Sequence, residues 1–153
     1  MTEIAPISVN TVEKGTKLGS AGKAVPDTLI EIVDIETGRK VLKPGETGEI
    51  RVRGPHMMLE YESNIEETKK TIRDGFIYTG DIGVLDDDGF LFITDRKKDV
   101  ILVKGFNVFP REIEEQLMSQ SNVSSVCVVP KQDNRSGETP VAFITLKREI
   151  NIS

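Results

Sequence analysis

The 153-residue sequence holds one cysteine and one histidine, and each solitary residue closes off a class of chemistry. Cys127 has no second cysteine to pair with, so an internal disulfide is excluded. Its place in the apolar run Val126-Cys127-Val128-Val129 is that of a small core side chain on a buried strand. His56 has no second His or Cys at ligand spacing, which speaks against a metal centre, and its position after Gly54-Pro55 marks a turn. No apolar run approaches the roughly 18 to 20 residues that span a bilayer, and no charged start followed by a short apolar block marks a secretion signal. Lys and Arg are not in excess, the net charge being -5, so the chain carries no electrostatic footprint for nucleic acid or for an anionic membrane. No internal repeat or low-complexity tract is visible. These absences lead to the expectation of a cytoplasmic chain, peripheral to a membrane at most. An apolar content of 37% fits one modest globular domain or two small ones.

What is present is punctuation. Residues 28–34 carry Leu29, Ile30, Ile32 and Val33 and run into Glu36-Thr37-Gly38, a strand followed by a turn. Lys43-Pro44-Gly45-Glu46-Thr47-Gly48 is a second turn signal, after which Glu49-Ile50-Arg51-Val52-Arg53 alternates with the period of a half-buried strand. Ser63-Asn64-Ile65-Glu66 has the Ser-x-x-Glu form of a capping box and predicts a short helix to about Arg73, closed by Asp74-Gly75. Glu67, Lys69, Lys70 and Arg73 read as its solvated face. Short strands are predicted around Phe76–Tyr78, Ile82–Leu85, Phe90–Thr94 and Val100–Val103. Asp86-Asp87-Asp88-Gly89, between two of them, lacks the alternating carboxylates of an EF-hand calcium loop and reads as a hairpin turn.

Farther on, Pro110 is placed like the first residue of a helix, with Glu112, Glu114 and Glu115 suited to the positive end of its dipole and Ile113 and Leu117 on one face. Strands near Val123–Val129 and Val141–Leu146 bracket a predicted loop, Lys131–Thr139. The whole reads as α+β. The sharpest internal boundary is the charged run Asp95-Arg96-Lys97-Lys98-Asp99; on composition alone it is a charged turn between hairpin strands.

Residues Asp74 to Glu114 carry more than packing requires. Tyr78-Thr79-Gly80-Asp81 resembles the Thr-Gly-Asp motif of adenylate-forming enzymes, and Asp95-Arg96, Lys104-Gly105 and Glu112-Ile113-Glu114 resemble, in order, the motif that follows in that superfamily. The stretch Asp74 to Lys98 is closest to the signature of fatty acyl-CoA synthetases. Met1-Thr2-Glu3 resembles the tail of an upstream motif ending in Gly-x-Thr-Glu. The resemblance implies a middle-to-late stretch of a longer synthetase. Residues 1–95 would be the β-rich, barrel-like end of its large AMP-binding region, and 96–153 an incomplete small mobile C-terminal domain, breaking off at Ser153.

The resemblance also implies roles. Asp81 would accept hydrogen bonds from both ribose hydroxyls of the nucleotide, with Thr79-Gly80 turning the backbone toward the sugar; the plain alternative is a strand-capping Asp. Arg96 would hold ribose and phosphate oxygens, the alternative being an ion pair with a neighbouring Asp. Thr2 and Glu3 would be the catalytic pair, the hydroxyl on phosphate and the carboxylate helping to hold Mg. Lys98 would be the pivot between adenylating and thioester-forming poses, turning the charged run into an interdomain hinge. Gly105 would leave room for the pantetheine arm of CoA, or be an ordinary turn glycine. The implied substrates are ATP, a fatty acid and CoA. An adenylating domain for another acid or a carrier protein, or a noncatalytic AMP-binding fragment, are the rivals.

Overall fold

A computed structural model describes residues 1–13 and 15–147. The chain divides into two compact units, Met1–Lys97 and Lys98–Ser153. The division falls two residues beyond the expected end at 95, because the last strand of the first unit continues through Arg96. Residues 148–153, where the second unit is expected to break off, lie outside the described residues.

The first unit is an antiparallel sheet that curls into a half-barrel. Its elements are β1 (Ser8–Val9), β2 (Gly22–Ala24), β3 (Leu29–Val33), β4 (Gly48–Arg53), a single helix α1 (Ile65–Thr71), β5 (Ile72–Arg73), β6 (Phe76–Leu85) and β7 (Phe90–Arg96). The strand order is β1-β2-β7-β6-β4-β3, with β5 beside the first half of β6. Alternation sorts the side chains into two faces. Ile30, Ile32, Ile50, Val52, Ile77 and Leu91 form the main core together with Ile4 from the N-terminal segment. Val33, Phe76 and Tyr78 form a second, smaller cluster. That second face also carries Arg51, whose guanidinium lies 4.3 Å from the Phe76 ring centroid and binds Glu31 Oε2 at 2.7 Å.

Several local expectations shift. The helix is capped by Asn64, whose side chain accepts from the Glu67 N–H, not by Ser63. Ser63 has φ +55, outside the extended region a capping residue needs. The capping pattern is therefore displaced by one residue, to Asn64-x-x-Glu67. Nor does the helix reach Arg73. Residues 72 and 73 turn back as β5, with Ile72 opposite Ile77 and Arg73 opposite Phe76, so Asp74-Gly75 is a two-residue hairpin turn with positive φ at both positions. Arg73 consequently lies on the sheet, 3.4 Å above the Tyr78 ring, rather than on a solvated helix face. The two short strands expected at 76–78 and 82–85 are one strand interrupted by a bulge. Asp86-Asp87-Asp88-Gly89 is the expected hairpin turn: Asp86 Oδ1 accepts from the N–H groups of Asp88 and Phe90, and Gly89 has φ +80.

The turn after β3 is organised by Asp34. Its carboxylate accepts from the backbone N–H of Thr37, Lys40 and Arg39 and from the Thr37 hydroxyl. These donors, the Thr37 N–H foremost, hold its pKa well below the ordinary carboxylate range. A depressed folded-state pKa stabilises above the unfolded value of about 3.9 and loses that contribution as pH falls. Asp34→Ala is therefore expected to lower the melting temperature at pH 7, with the gap to the wild type closing as the pH is taken down through 4 toward 2. Melting curves across that range check it; a gap independent of pH would contradict the assignment.

A 3₁₀ turn (Lys97–Asp99) straddles the boundary, and the second unit holds β8 (Ile101–Val103), β9 (Phe106–Val108), α2 (Pro110–Met118), β10 (Val123–Asp133) and β11 (Gly137–Leu146). Its sheet runs β10-β11-β8-β9. Pro110 opens α2 as expected, and Ile113 and Leu117 are half-buried where the helix meets β10. The predicted loop Lys131–Thr139 is mostly strand: pairing continues from Val129 opposite Val141 out to Asp133 opposite Gly137, leaving a tight turn closed by the Asp133 carboxylate on Ser136. Cys127 is exposed, contrary to the core position expected. It points with Phe143, its cross-strand partner, and Phe143 is itself 64% exposed, whereas Val128 one residue on is buried. A continuous apolar run thus gave no indication of which face was covered.

Candidate functional site

The Thr79-Gly80-Asp81 segment is looped out of the ladder between β6 and β4. Tyr78 pairs with Arg51 and Ile82 with Glu49, so three residues of β6 oppose Ile50 alone. Such a bulge re-aims side chains that regular alternation would send to a fixed face. It is fastened at its first residue: the Thr79 hydroxyl donates to the Ile50 carbonyl at 3.0 Å and accepts from the Asp81 N–H at 3.0 Å. Gly80 has φ +71, a conformation that a side chain disfavours, which explains a glycine here on backbone grounds.

A second bulge lies across the hairpin. Asp81 pairs with Arg96 and Ile82 with Asp95, yet Gly83 pairs with Ile93, leaving Thr94 as the extra residue of β7. This shift sets Asp81 and Arg96 side by side, Nε to Oδ1 at 3.3 Å. The Asp81 side chain is 25% exposed and that of Arg96 64%. An ion pair this open contributes little to stability. It does present, on one edge, an anionic acceptor and a planar cationic donor, the complement of a sugar diol with a phosphate attached. Arg96 pairs with Asp81 and not with the adjacent Asp95, whose Oδ1 instead accepts the Arg96 backbone N–H.

Thr2 and Glu3 belong to a different neighbourhood. Ile4 is in the core, and the Glu3 carbonyl accepts from the Met58 N–H at 2.7 Å, which fixes the N-terminal segment to the 57–61 loop. The Glu3 carboxylate accepts from the Tyr61 hydroxyl at 2.7 Å. That bond, with backbone donors, lowers the Glu3 pKa, so the group is an anion at neutral pH. Thr2 is exposed beside it. Among the described residues no group of three or more His, Cys, Asp or Glu is placed to hold a metal ion. A single carboxylate is nonetheless the donor set expected for magnesium that arrives with phosphate and water ligands.

In the second unit Lys98 is exposed within the 3₁₀ turn. Gly105 and Lys104 form the two-residue turn joining β8 to β9, with φ +85 and +52, the positive values that a tight hairpin of this type demands. Gly105 thus has a backbone reason to be glycine, and a side chain there would meet nothing within 4 Å. Glu114, expected to suit the helix dipole and to form part of a motif, also accepts from the Val128 N–H at 2.7 Å, tying α2 to the sheet.

Two pieces of local chemistry escaped the sequence reading. One is the Arg51, Arg73, Phe76 and Tyr78 stack behind the bulge, where the Tyr78 hydroxyl donates to the Gly38 carbonyl at 2.8 Å. The other is Glu49, 3% exposed, with Lys97 Nζ at 2.7 Å. Alternation around Glu49 was visible; its partner 48 residues away was not.

The chain belongs to the adenylate-forming superfamily: residues 1–62 match the AMP-binding enzyme family and residues 112–152 match the AMP-binding enzyme C-terminal domain. It is 45% identical over 148 residues to a long-chain-fatty-acid–CoA ligase of Salmonella typhimurium, covering 96% of this chain and 26% of that protein. It is 41% identical over 153 residues to a probable 4-coumarate–CoA ligase 3 of Dictyostelium discoideum, covering 99% and 28%. Among solved structures, the ATP-bound RpMatB-BxBclM chimera B1 superposes with a TM-score of 0.88 at 37% identity, covering all of this chain and 30% of that one. The chain therefore spans about a quarter of the length of the curated relatives it matches.

Proposed function

We propose that this chain carries the ribose-recognition edge and the hinge of an AMP-forming acyl-CoA ligase acting on fatty acids in the cytoplasm. The observation that carries the reading is the adjacency of Asp81 and Arg96 at a built bulge, in a chain of this family. In the reaction of the whole enzyme, the acid's carboxylate oxygen attacks the α-phosphorus of ATP and pyrophosphate leaves. The thiol of CoA then attacks the acyl carbon and AMP leaves. Asp81 would take the ribose hydroxyls and Arg96 the ribose and phosphate oxygens, which fixes the nucleotide for in-line attack. Thr2 would donate to phosphate, and Glu3, ionised at neutral pH, would hold magnesium, whose chemistry is to neutralise the charge on the phosphates. Lys98 would be the pivot of the second unit, Lys98–Ser153, as a mobile domain, and Gly105 would keep the pantetheine path open.

Supporting the fatty acid class is the 45% identity to a long-chain-fatty-acid–CoA ligase. The 41% identity to a probable 4-coumarate–CoA ligase favours an aryl acid as the second reading. The matched stretch omits most of the relatives' length, so the chain by itself is expected to have negligible activity. ATP–pyrophosphate exchange with a fatty acid should stay at background, and clear turnover would overturn that expectation. The ribose reading is tested by calorimetric titration with AMP and with its 2′,3′-dideoxy analogue. AMP is expected to bind and the analogue not to; equal binding of both would remove the sugar diol from the account. The proposed partners are small molecules, ATP, a fatty acid and CoA; among the described residues no helix is long and apolar enough to cross a membrane.

A further inference from the structure

We propose that Lys97 is a latch residue: its ammonium, gripped by the buried carboxylate of Glu49, fastens the backbone to the first unit up to residue 97 so that the pivot begins at Lys98. This rests on the reading of residues 95–99 as the hinge. It adds a positioning role for two side chains outside the nucleotide-binding set.

Glu49 lies in β4, hydrogen-bonded on both sides by β3 and β6, with Val33 and Ile82 as its cross-strand neighbours. At 3% exposure it is the most deeply sequestered charged side chain among the described residues. A carboxylate there is costly unless paired. Lys97 Nζ reaches its Oε2 at 2.7 Å, with the lysine side chain 34% exposed. Arg73 Nη2 stands farther off, at 3.9 Å from the same oxygen, held in place by stacking on Tyr78. The second cation matters: if Lys97 lets go, Glu49 is not stranded without compensation, so the latch can open without unfolding the strand beneath it. Along the chain the anchoring stops abruptly. Arg96 is paired with Asp81, Lys97 with Glu49, and Lys98 is exposed. Two successive side chains face back onto the first unit, which is why the rotatable backbone starts after the second of them.

The test is tryptic nicking of the 153-residue chain, with sites and rates read by mass spectrometry. Cleavage after Lys97 is expected to be slow in the wild type and to rise at least about tenfold in Glu49→Gln, as local opening there becomes cheaper, while cleavage after Lys23 and Lys40 keeps its rate. Lys97→Arg, which retains both the charge and the protease site, should keep the slow rate. An unchanged rate after Lys97 in Glu49→Gln overturns the latch. So does an equal rise at Lys23, Lys40 and Lys97, because Glu49 would then simply hold the sheet together. Should Glu49→Gln fail to fold, Lys97→Met leaves Glu49 with Arg73, and hydrogen exchange across residues 95–99 should accelerate by the same factor; no acceleration overturns the proposal. Relaxation of ¹⁵N separates the two readings. A single correlation time for both units sinks the hinge itself, whereas two correlation times with no effect of Glu49→Gln sink only the latch.

Discussion

Asp81→Ala is expected to weaken AMP binding by a factor of about 10 to 100, with little change in the stability of the first unit. A hydrogen bond to a charged acceptor is worth about 1.5 to 3 kcal/mol, and every 1.4 kcal/mol is tenfold in affinity; one carboxylate serving two hydroxyls sets that range. Stability should hardly move, because the Asp81 and Arg96 pair is open to solvent and the bulge is fastened through the Thr79 hydroxyl. Asp81→Asn should fall between, since it keeps an acceptor oxygen but loses the charge. Calorimetric titration of the three proteins with AMP measures the loss, and a melting curve for each measures stability. Unchanged affinity in Asp81→Ala would remove the ribose anchor from the proposed function. A collapse of the fold instead would mean that Asp81 serves the strand as a cap.

Gly48→Ala is expected to be strongly disruptive to the first unit, at more than about 3 kcal/mol. A Cβ at residue 48 would lie 2.2 Å from the Val33 carbonyl oxygen and 2.7 Å from Leu42 Cδ1. The first of these is backbone of the neighbouring strand and cannot withdraw without opening the Val33 to Glu49 pairing. Gly45 is the control, three residues earlier. It has φ +85 and nothing within 4 Å of a would-be Cβ, so alanine there meets only the conformational penalty, about 1 kcal/mol. Hydrogen-exchange protection of β4 and β6 amides should drop in Gly48→Ala far more than in Gly45→Ala. Equal effects would mean that β3 and β4 separate more easily than their pairing implies.

Sheet-forming segments were legible wherever alternation and turn chemistry agreed. Glu49 to Arg53 reads as a strand with Ile50 and Val52 inward and is one, and Asp86 to Gly89 reads as a hairpin turn and is one. Legibility failed where a side chain's surroundings come from distant sequence. Arg73 has the look of a helix-surface cation until β5 turns back and sets it on Tyr78. Cys127 sits in a run that any pattern would bury, but helix α2 covers only the Val128 side of β10. Polar residues in Lys131 to Thr139 suggested a loop, and cross-strand pairing extended the hairpin through them. At the candidate site the identities were readable and the resemblance put Asp81 and Arg96 on one nucleotide, but the register that sets them side by side was not readable. Asp81 pairs with Arg96 because the extra residue Thr94 shifts the register of β7 against β6, a shift no local pattern announces.

Ile77 pairs with Val52 and Ile72, and Ile82 with Glu49 and Asp95, so the looped-out segment is held by cross-strand partners at both ends and released from the β4 ladder between them. A side chain at 81 is thereby freed from the strict up-and-down rule of the pleat, a latitude that a continuously paired strand could not give it.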